Sequence, residues 1–600
     1  MKKNKEQRTL NNEQRKIRRS ASIVICYLLS VICYLVIVGC SDDPVVAAPP
    51  QANFYQVTVA SYGAAGFSGG GSYEPGVSVS INAGTRDGYT FSGWSTASAG
   101  VFFVSAGSKS TSFIMPAGAV TVTANWDWDA GTVVNAYEGL PLSALVKDGR
   151  RPIPVSSTNG TGYDELLFYS RSSSVSPEKE VFDKNNQWRK DAWSRIGQIR
   201  KGDITVIVKD SSGNPVEGAQ VKVSMYEHEF KWGTMVNGNV AVPAYNRYRA
   251  GVSLLFNTVV LENGHKWNFY EADVARTRDH YNAAKNLGIK YVRGHALLWD
   301  SANLYNGTGS NNSIPQRIYD WFRQDFENEP KTTLNKNNIM NEMQAHIARI
   351  AGSGADGYRD QVYVWDVLNE PLYNKSMRDR YGWDVWTSAF AWARQYAGQN
   401  TILFINETDI YGSVFSSANI NELKEIIDVI GVGIFDGIGI QSHFFHKVLP
   451  QDFYNMLQDF ADTYTGKIIE ITEFDMGAEL STDREYEASF TRDIMIAVFS
   501  QQNTKAFVMW GFTSSSHWLG NAPIFDANYG LKESGKQYID LVYNKWMTKE
   551  NGSTGSDGTC TINGFYGDYD ITVSANGKTK TLQSQCYKGN DNTIIVMFDE

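Results

Sequence analysis

Cysteine is scarce, with five in 600 residues. Cys26 and Cys33 sit within an apolar run, Cys40 ends it, and only Cys560 and Cys586 belong to the body of the chain. Their spacing matches no metal site; in an oxidising setting a disulfide between them is plausible, with a pair of free buried thiols as the alternative. Basic runs are absent after residue 39. The first 39 residues hold eight of the 55 Lys/Arg and two of the 64 Asp/Glu, so the remainder has 47 basic and 62 acidic residues, a net charge of about −15. That acidity disfavours a nucleic-acid partner.

What is present is a globular composition, 42% hydrophobic and 13% aromatic. The length suits roughly three to four domains, or one large barrel with appendages. Sixteen Trp and 32 Tyr provide flat apolar surfaces that suit sugar rings as well as cores. A basic stretch and then the apolar run 21–38 read as a targeting leader over residues 1–39. The run closes on Ile37-Val38-Gly39-Cys40, which resembles the bacterial lipobox, and Ser41-Asp42-Asp43 resembles a surface-export tag. The resemblance implies lipidation at Cys40, with the chain tethered outside the cytoplasm through an anchor in the outer membrane.

Residues 40–52 form a Pro/Ala-rich tether. Over 53–127, short alternating strands are separated by Gly-rich turns. Gly88-Tyr89-Thr90-Phe91-Ser92-Gly93-Trp94 and Phe113-Ile114-Met115-Pro116 resemble the divergent repeat related to internalin B-repeats, which implies a small β-module. Residues 128–200 read as a connection with a short helix near 192–200. Two alternating stretches follow within 201–226, joined by a polar turn at 211–215, and predict a β-hairpin. The segment 548–600 alternates similarly, and the two flanking segments are expected to pair.

Between them, over 227–547, apolar strands alternate with helical patterns. Strands are predicted at 230–236, 258–261, 290–296, 361–367, 401–405, 437–441, 467–472 and 506–510, with a helix over 269–287 among those between. Eight strand–helix units are the grammar of a (β/α)8 TIM barrel in the α/β class, with small all-β modules at both ends. Polar residues stand at the strand exits, where such barrels do chemistry. They are Glu262, Asn263 and Lys266; His295 and Trp299; Asn369 and Glu370; Gln441 and His443; Glu473 and Asp475; Trp510 and Trp518.

Leu261-Glu262-Asn263 with Lys266-Trp267, Gly294-His295 with Trp299, Trp365-Asp366-Val367 with Asn369-Glu370, Gly437 to Gln441 with His443, and Ile471-Thr472-Glu473 with Asp475 stand in one order. That set closely resembles glycoside hydrolase family 10, the retaining endo-β-1,4-xylanases, over residues 225–545. The resemblance implies Glu370 as acid/base, Glu473 as nucleophile, and Glu262, Asn263, Lys266, His295, Trp299 and Gln441 along the glycone side. It also implies that Trp510 and Trp518 wall the sugar at the scissile bond.

The chemistry asks for the same pair. Retaining cleavage needs one carboxylate to attack and one to protonate, about 5–5.5 Å apart. Glu473 has to stay ionised, with His443 as donor and Asp475 orienting that imidazole, while Asn369 meets the sugar 2-hydroxyl. Asp366 reads as structural. Two carboxylates suffice, so no cofactor and no metal is expected, and the chain is expected to act as a monomer on xylan. The alternatives are the same chemistry on another β-glycan, such as mixed-linkage glucan, or a non-catalytic surface glycan-binding protein. Three positions depart from the family: Asp300 after Trp299, Glu407 after Asn406, and Ser514-Ser515-Ser516-His517 before Trp518.

Overall fold

A computed structural model describes residues 53–128 and 166–598, apart from 62–63, 86–88, 97, 167, 170, 172, 174–175, 301–312, 328–331, 409, 411–416 and 522. The leader, Cys40, the tether and residues 129–165 lie outside the described residues.

Eight parallel strands close on themselves: β1 (Lys231–Val236), β2 (Thr258–Leu261), β3 (Tyr291–Leu298), β4 (Val364–Asn369), β5 (Ile402–Glu407), β6 (Gly437–Ile440), β7 (Ile468–Met476) and β8 (Thr504–Met509). Each pairs with the next, and β8 returns to β1 through Val508 opposite Gly233. All of β2, β4 and β6 is buried, which is why these strands read as unbroken apolar runs rather than as alternation. Met235, Val260, Ala506, Val508 and Trp510 form a separate cluster, while a much larger core surrounds the sheet.

Two details differ from the sequence expectation. Strand β4 begins three residues later than 361, because residues 358–362 turn, with the Gln361 and Val362 N–H groups both donating to the Tyr358 carbonyl. The helix expected over 269–287 is two helices, Trp267–Ala272 and Val274–Asn286. Asp273 leaves helical geometry between them and accepts the Arg276 N–H as the cap of the second.

The end of the 128–200 connection belongs to the barrel's outer layer. Its helix runs over Gln187–Ile199, longer than expected, and packs on Arg484–Phe499, itself buried along nearly its whole length. Arg189, fully buried, donates to both Asp493 oxygens at 2.8 and 2.6 Å and to the carbonyls of Asp183 and Glu180. Arg200 donates to the carbonyls of Phe499, Gln501 and Thr504, meeting acceptors that the end of that helix leaves open.

The hairpin predicted over 201–226 is not formed. Lys201–Asp210 lies between Thr559–Phe565 and Thr593–Phe598 in one sheet, and Gln220–His228 lies between Lys549–Ser553 and Gly567–Ala575 in another. Each strand carries one apolar face, Ile204, Val206 and Val208 against Val221, Val223 and Met225, and all six are buried. A two-stranded hairpin would leave such a face to water, whereas two stacked sheets bury both. The segments before and after the barrel therefore build one sandwich. Cys560 and Cys586 fall in different sheets of it and are free, buried thiols rather than a disulfide. Burial pushes both thiols up. The N-terminal module has its own core of Val57, Ile81, Trp94, Phe113, Val122 and Trp126.

Replacing Arg189 with Met leaves Asp493 buried beside a reduced set of partners. The unfolding free energy is expected to fall by about 3 kcal/mol, read from the shift in urea midpoint.

Candidate active site

The strand exits of β4 and β7 bring the two glutamates to one mouth. Glu370 immediately follows β4 in the left-handed region, at φ 54°, and its N–H donates to the Asn406 carbonyl at 2.7 Å. A non-glycine residue held there stores strain, a feature that clusters at functional positions. Its carboxyl is surrounded by neutral donors. Gln441 Nε2 donates to Oε1 at 2.9 Å, and Trp299 Nε1 and Asn374 Nδ2 donate to Oε2 at 3.1 and 3.0 Å. Burial pushes this carboxyl above its ordinary value, and the nearby charge of Glu473 adds to that, against the Gln441 hydrogen bond and the positive charge of Lys266.

Glu473, on β7, has the opposite setting. Asn406 Nδ2 donates to its Oε1 at 2.9 Å, and His443 Nε2 stands 3.4 Å from Oε2. Burial pushes the carboxyl up, but the hydrogen bond from His443, the charges of His295 and His443, and Asn406 more than offset it, leaving it below its ordinary value. Burial also disfavours the His443 cation. Asp475, whose Oδ1 is 2.8 Å from His443 Nδ1, and Glu473 overcome this and raise His443 to about 10. Asp475 is held in turn by Trp518 Nε1 at 2.6 Å, with His517 Nε2 at 3.5 Å. Leu519 N–H donates to His517 Nδ1, which puts the ring proton on Nε2, facing Asp475.

Asn406 joins the two sides. The same amide nitrogen that reaches Glu473 also donates to Asn369 Oδ1 at 2.8 Å, and its oxygen accepts from Thr472 Oγ1 at 2.7 Å. With its oxygen so occupied, Asn369 keeps its NH2 without a protein partner among the described residues. Gly439 makes this possible, since a Cβ there would lie 2.4 Å from Asn406 Oδ1.

Beneath the mouth, Arg293 bridges Asp366 and Glu470, and His295 Nδ1 meets Asp366 at 2.9 Å. Asp366 thus orients His295 from below, a supporting place in the barrel. The His295 ring meets Trp510 edge-on, with centroids 5.4 Å apart. Lys266 donates to Asn263 Oδ1 at 3.0 Å and lies 4.8 Å over the Trp299 ring. Burial lowers its ammonium, and Glu473, Glu262 and Glu370 partly restore it. Trp510 is nearly buried, whereas Trp518 is 56% exposed and held by the bond to Asp475.

The three departures have structural uses. Asp300 is buried and accepts the Met377 N–H at 2.6 Å at the start of the helix Ser376–Tyr381. Glu407 accepts the N–H groups of Thr408 and Leu372 at 2.7 and 2.9 Å, pinning the turn after Glu370 and Pro371. His517 backs Asp475. Sequence reasoning missed Asn406, Asn374 and His517 as site residues. Asn406 was visible as a polar strand exit, like those that were chosen. Asn374 and His517 had no signal, being loop residues placed by contacts made elsewhere.

The model for "Glycosyl hydrolase family 10" matches residues 222–541, and that for "Divergent InlB B-repeat domain" matches residues 55–130. Among curated proteins, the anti-sigma-I factor RsgI6 of Acetivibrio thermocellus is 29% identical over 411 residues, covering 66% of this chain and 48% of that protein. Endo-1,4-beta-xylanase 1 of Arabidopsis thaliana is 23% identical, covering 67% and 39%, and endo-1,4-beta-xylanase B of Neocallimastix patriciarum is 26% identical, covering 48% and 32%. The chain thus spans half or less of the length of these relatives. Among solved structures, xylanase 10B from Thermotoga petrophila RKU-1 in complex with xylobiose is 22% identical, at a TM-score of 0.43, covering 53% of this chain and 95% of that one. With more than half of its 600 residues under the first of these family models, and with the strand-exit residues gathered at one barrel mouth, the chain belongs to glycosyl hydrolase family 10.

Proposed function

We propose that this protein is an endo-1,4-β-xylanase that works by double displacement, with Glu473 as nucleophile and Glu370 as acid/base. The observation that carries the roles is the opposite tuning of two carboxyls at one mouth. Glu370 is held toward its protonated form by burial and by the charge of Glu473, while Glu473 is kept ionised by His443 and Asn406. Pairs pushed apart in this way mark the acid and the nucleophile. Glu473 attacks the anomeric carbon as Glu370 gives its proton to the departing oxygen. Esterification then removes the Glu473 charge, the Glu370 carboxyl becomes more acidic, and it takes a proton from the water that releases the sugar. Asn369, with its NH2 free, meets the 2-hydroxyl, and Trp510 and Trp518 flank the sugar. Members of the family bearing the name xylanase support xylan as the substrate. The second reading is a glycan-binding barrel without hydrolysis; the presence of both glutamates with their partners favours hydrolysis.

On the lipobox-like Ile37-Val38-Gly39-Cys40, the chain is proposed to be a lipoprotein anchored outside the cytoplasm, and to act as a monomer. Replacing Cys40 with Ala is expected to move the protein from the membrane fraction to the soluble fraction and to abolish labelling by radioactive palmitate. Retention of both would overturn the anchor.

Reducing-sugar release from xylan is expected to fall by at least about 10³-fold in Glu473→Ala and in Glu370→Ala. Azide separates the roles on an aryl xylobioside with a good leaving group. The Glu473 variant should yield the α-azide, by direct attack on the vacated face, and the Glu370 variant the β-azide, by attack on the glycosyl-enzyme. Wild type that binds xylan without cleaving it would favour the binding protein.

His443→Gln removes the cation beside Glu473, so that carboxyl should rise. Because the nucleophile works deprotonated, the acidic limb of kcat/KM against pH is expected to move to higher pH, by about one unit. An unmoved acidic limb would remove His443 from that role.

A further inference from the structure

At the barrel's opposite, N-terminal pole, the sandwich and the barrel enclose an open pocket of about 490 Å³ of space, solvent included. Its walls come from both bodies. The start of β1 and the residues around β8 supply Lys231, Phe499 and Lys505, and the sandwich and its loops supply Arg200, Glu229, Tyr566 and Lys588. Four cations therefore line the pocket with one carboxylate, and Glu470, buried in the barrel behind it, also acts on Lys231. Arg200 is already committed, through its hydrogen bonds to the carbonyls of Phe499, Gln501 and Thr504 and to Thr504 Oγ1. Lys231 rests on two rings, its ammonium 4.9 Å from the centroids of both Tyr291 and Tyr363. The Lys505 and Lys588 ammonium groups make no hydrogen bond or ion pair with any protein group among the described residues. Glu229, the one acid, accepts the backbone N–H of Lys588 at 3.3 Å.

Charge left uncompensated in a partly desolvated pocket is costly, and folds ordinarily pair it. From this geometry we infer that the pocket is an anion site, taking a tetrahedral dianion of the phosphate or sulfate class between Lys505, Lys588 and Lys231. The only guanidinium is bonded to carbonyls, so no free fork is offered to a planar carboxylate, and compact ammonium groups receive a tetrahedral oxyanion as point charges. Independently of this, burial lowers Lys231 and Lys588, and burial together with the charges of Arg200, Lys588 and Lys231 lowers Lys505 to about 8. A bound dianion would relieve that repulsion. It would also tie sandwich to barrel, since its ligands come from both, and the site lies at the end of the barrel away from the glutamates.

The test is thermal unfolding and isothermal titration calorimetry of the full chain at pH 7, with inorganic phosphate, sulfate, glycerol phosphate and acetate, at constant ionic strength set by chloride. Phosphate and sulfate are expected to raise the midpoint in a saturable way, and acetate is not. Glycerol phosphate distinguishes a free ion from an esterified group: stabilisation equal to that of phosphate indicates a site open to phosphate esters, and none indicates a site for the free ion. Lys505→Gln and Lys588→Gln, both at solvent-reaching positions, should each weaken phosphate at least tenfold while xylan cleavage is unchanged. Equal stabilisation by acetate, an absence of saturation, or unchanged phosphate affinity in both variants would overturn the proposal.

Discussion

Two carboxylates buried close together in one pocket repel, and the least costly arrangement is for one of them to keep a proton. The architecture of the mouth follows from deciding which. Glu473 has a cationic neighbour, His443, held in that state by Asp475, and an amide donor, Asn406. Glu370 has neutral amide and indole donors, and burial together with the charge of Glu473 outweighs the Gln441 hydrogen bond and the charge of Lys266. The asymmetry is electrostatic, yet it depends on packing. Asn406 reaches Glu473 and Asn369 together only because Gly439 leaves room beside it, and His443 keeps its orientation and charge only while Asp475, held by Trp518, stays in place.

The same dependence runs outward. The mouth is held over a floor in which Arg293 compensates Asp366 and Glu470, and Asp366 in turn aims His295 upward. Around the wall, the helix Gln187–Ile199 covers Arg484–Phe499 and contributes Arg189 and Arg200 to it. A segment that reads as a linker is thereby part of the support for β7 and β8. The sandwich is assembled from both sides of the barrel and lies against the opposite pole, so the chain cannot close it before the barrel between its halves is traversed.

Much of this was legible in the chain. Eight apolar strands and their spacing determine the barrel, because a parallel strand buried on both faces must be apolar throughout, and a barrel places its strand exits together. Glu370 and Glu473 could be chosen from those exits, as could His443 and Asp475. Other features were not legible for a common reason. Ile204 to Val208 and Val221 to Met225 alternate equally well in a hairpin and in two facing sheets, since alternation records that one face is buried but not what covers it. Asp273 breaks a helix whose apolar spacing continues across it. Cys560 and Cys586 are consistent with either bonding state until the sheets place them apart.

By itself, then, the sequence determined the order and kind of the elements, the strand ends that carry the chemistry and the pair of glutamates, all of which depend on neighbours along the chain and on the repeating geometry of a strand. Only the tertiary structure decided how the two carboxyls are tuned in opposite directions, that Asn406 links them, that Asp300 and Glu407 accept backbone N–H groups of neighbouring loops, and that cations line a pocket at the far pole. Those outcomes depend on burial and on charges many residues away, and an electrostatic environment in a folded interior is a sum over neighbours that the order of residues does not contain.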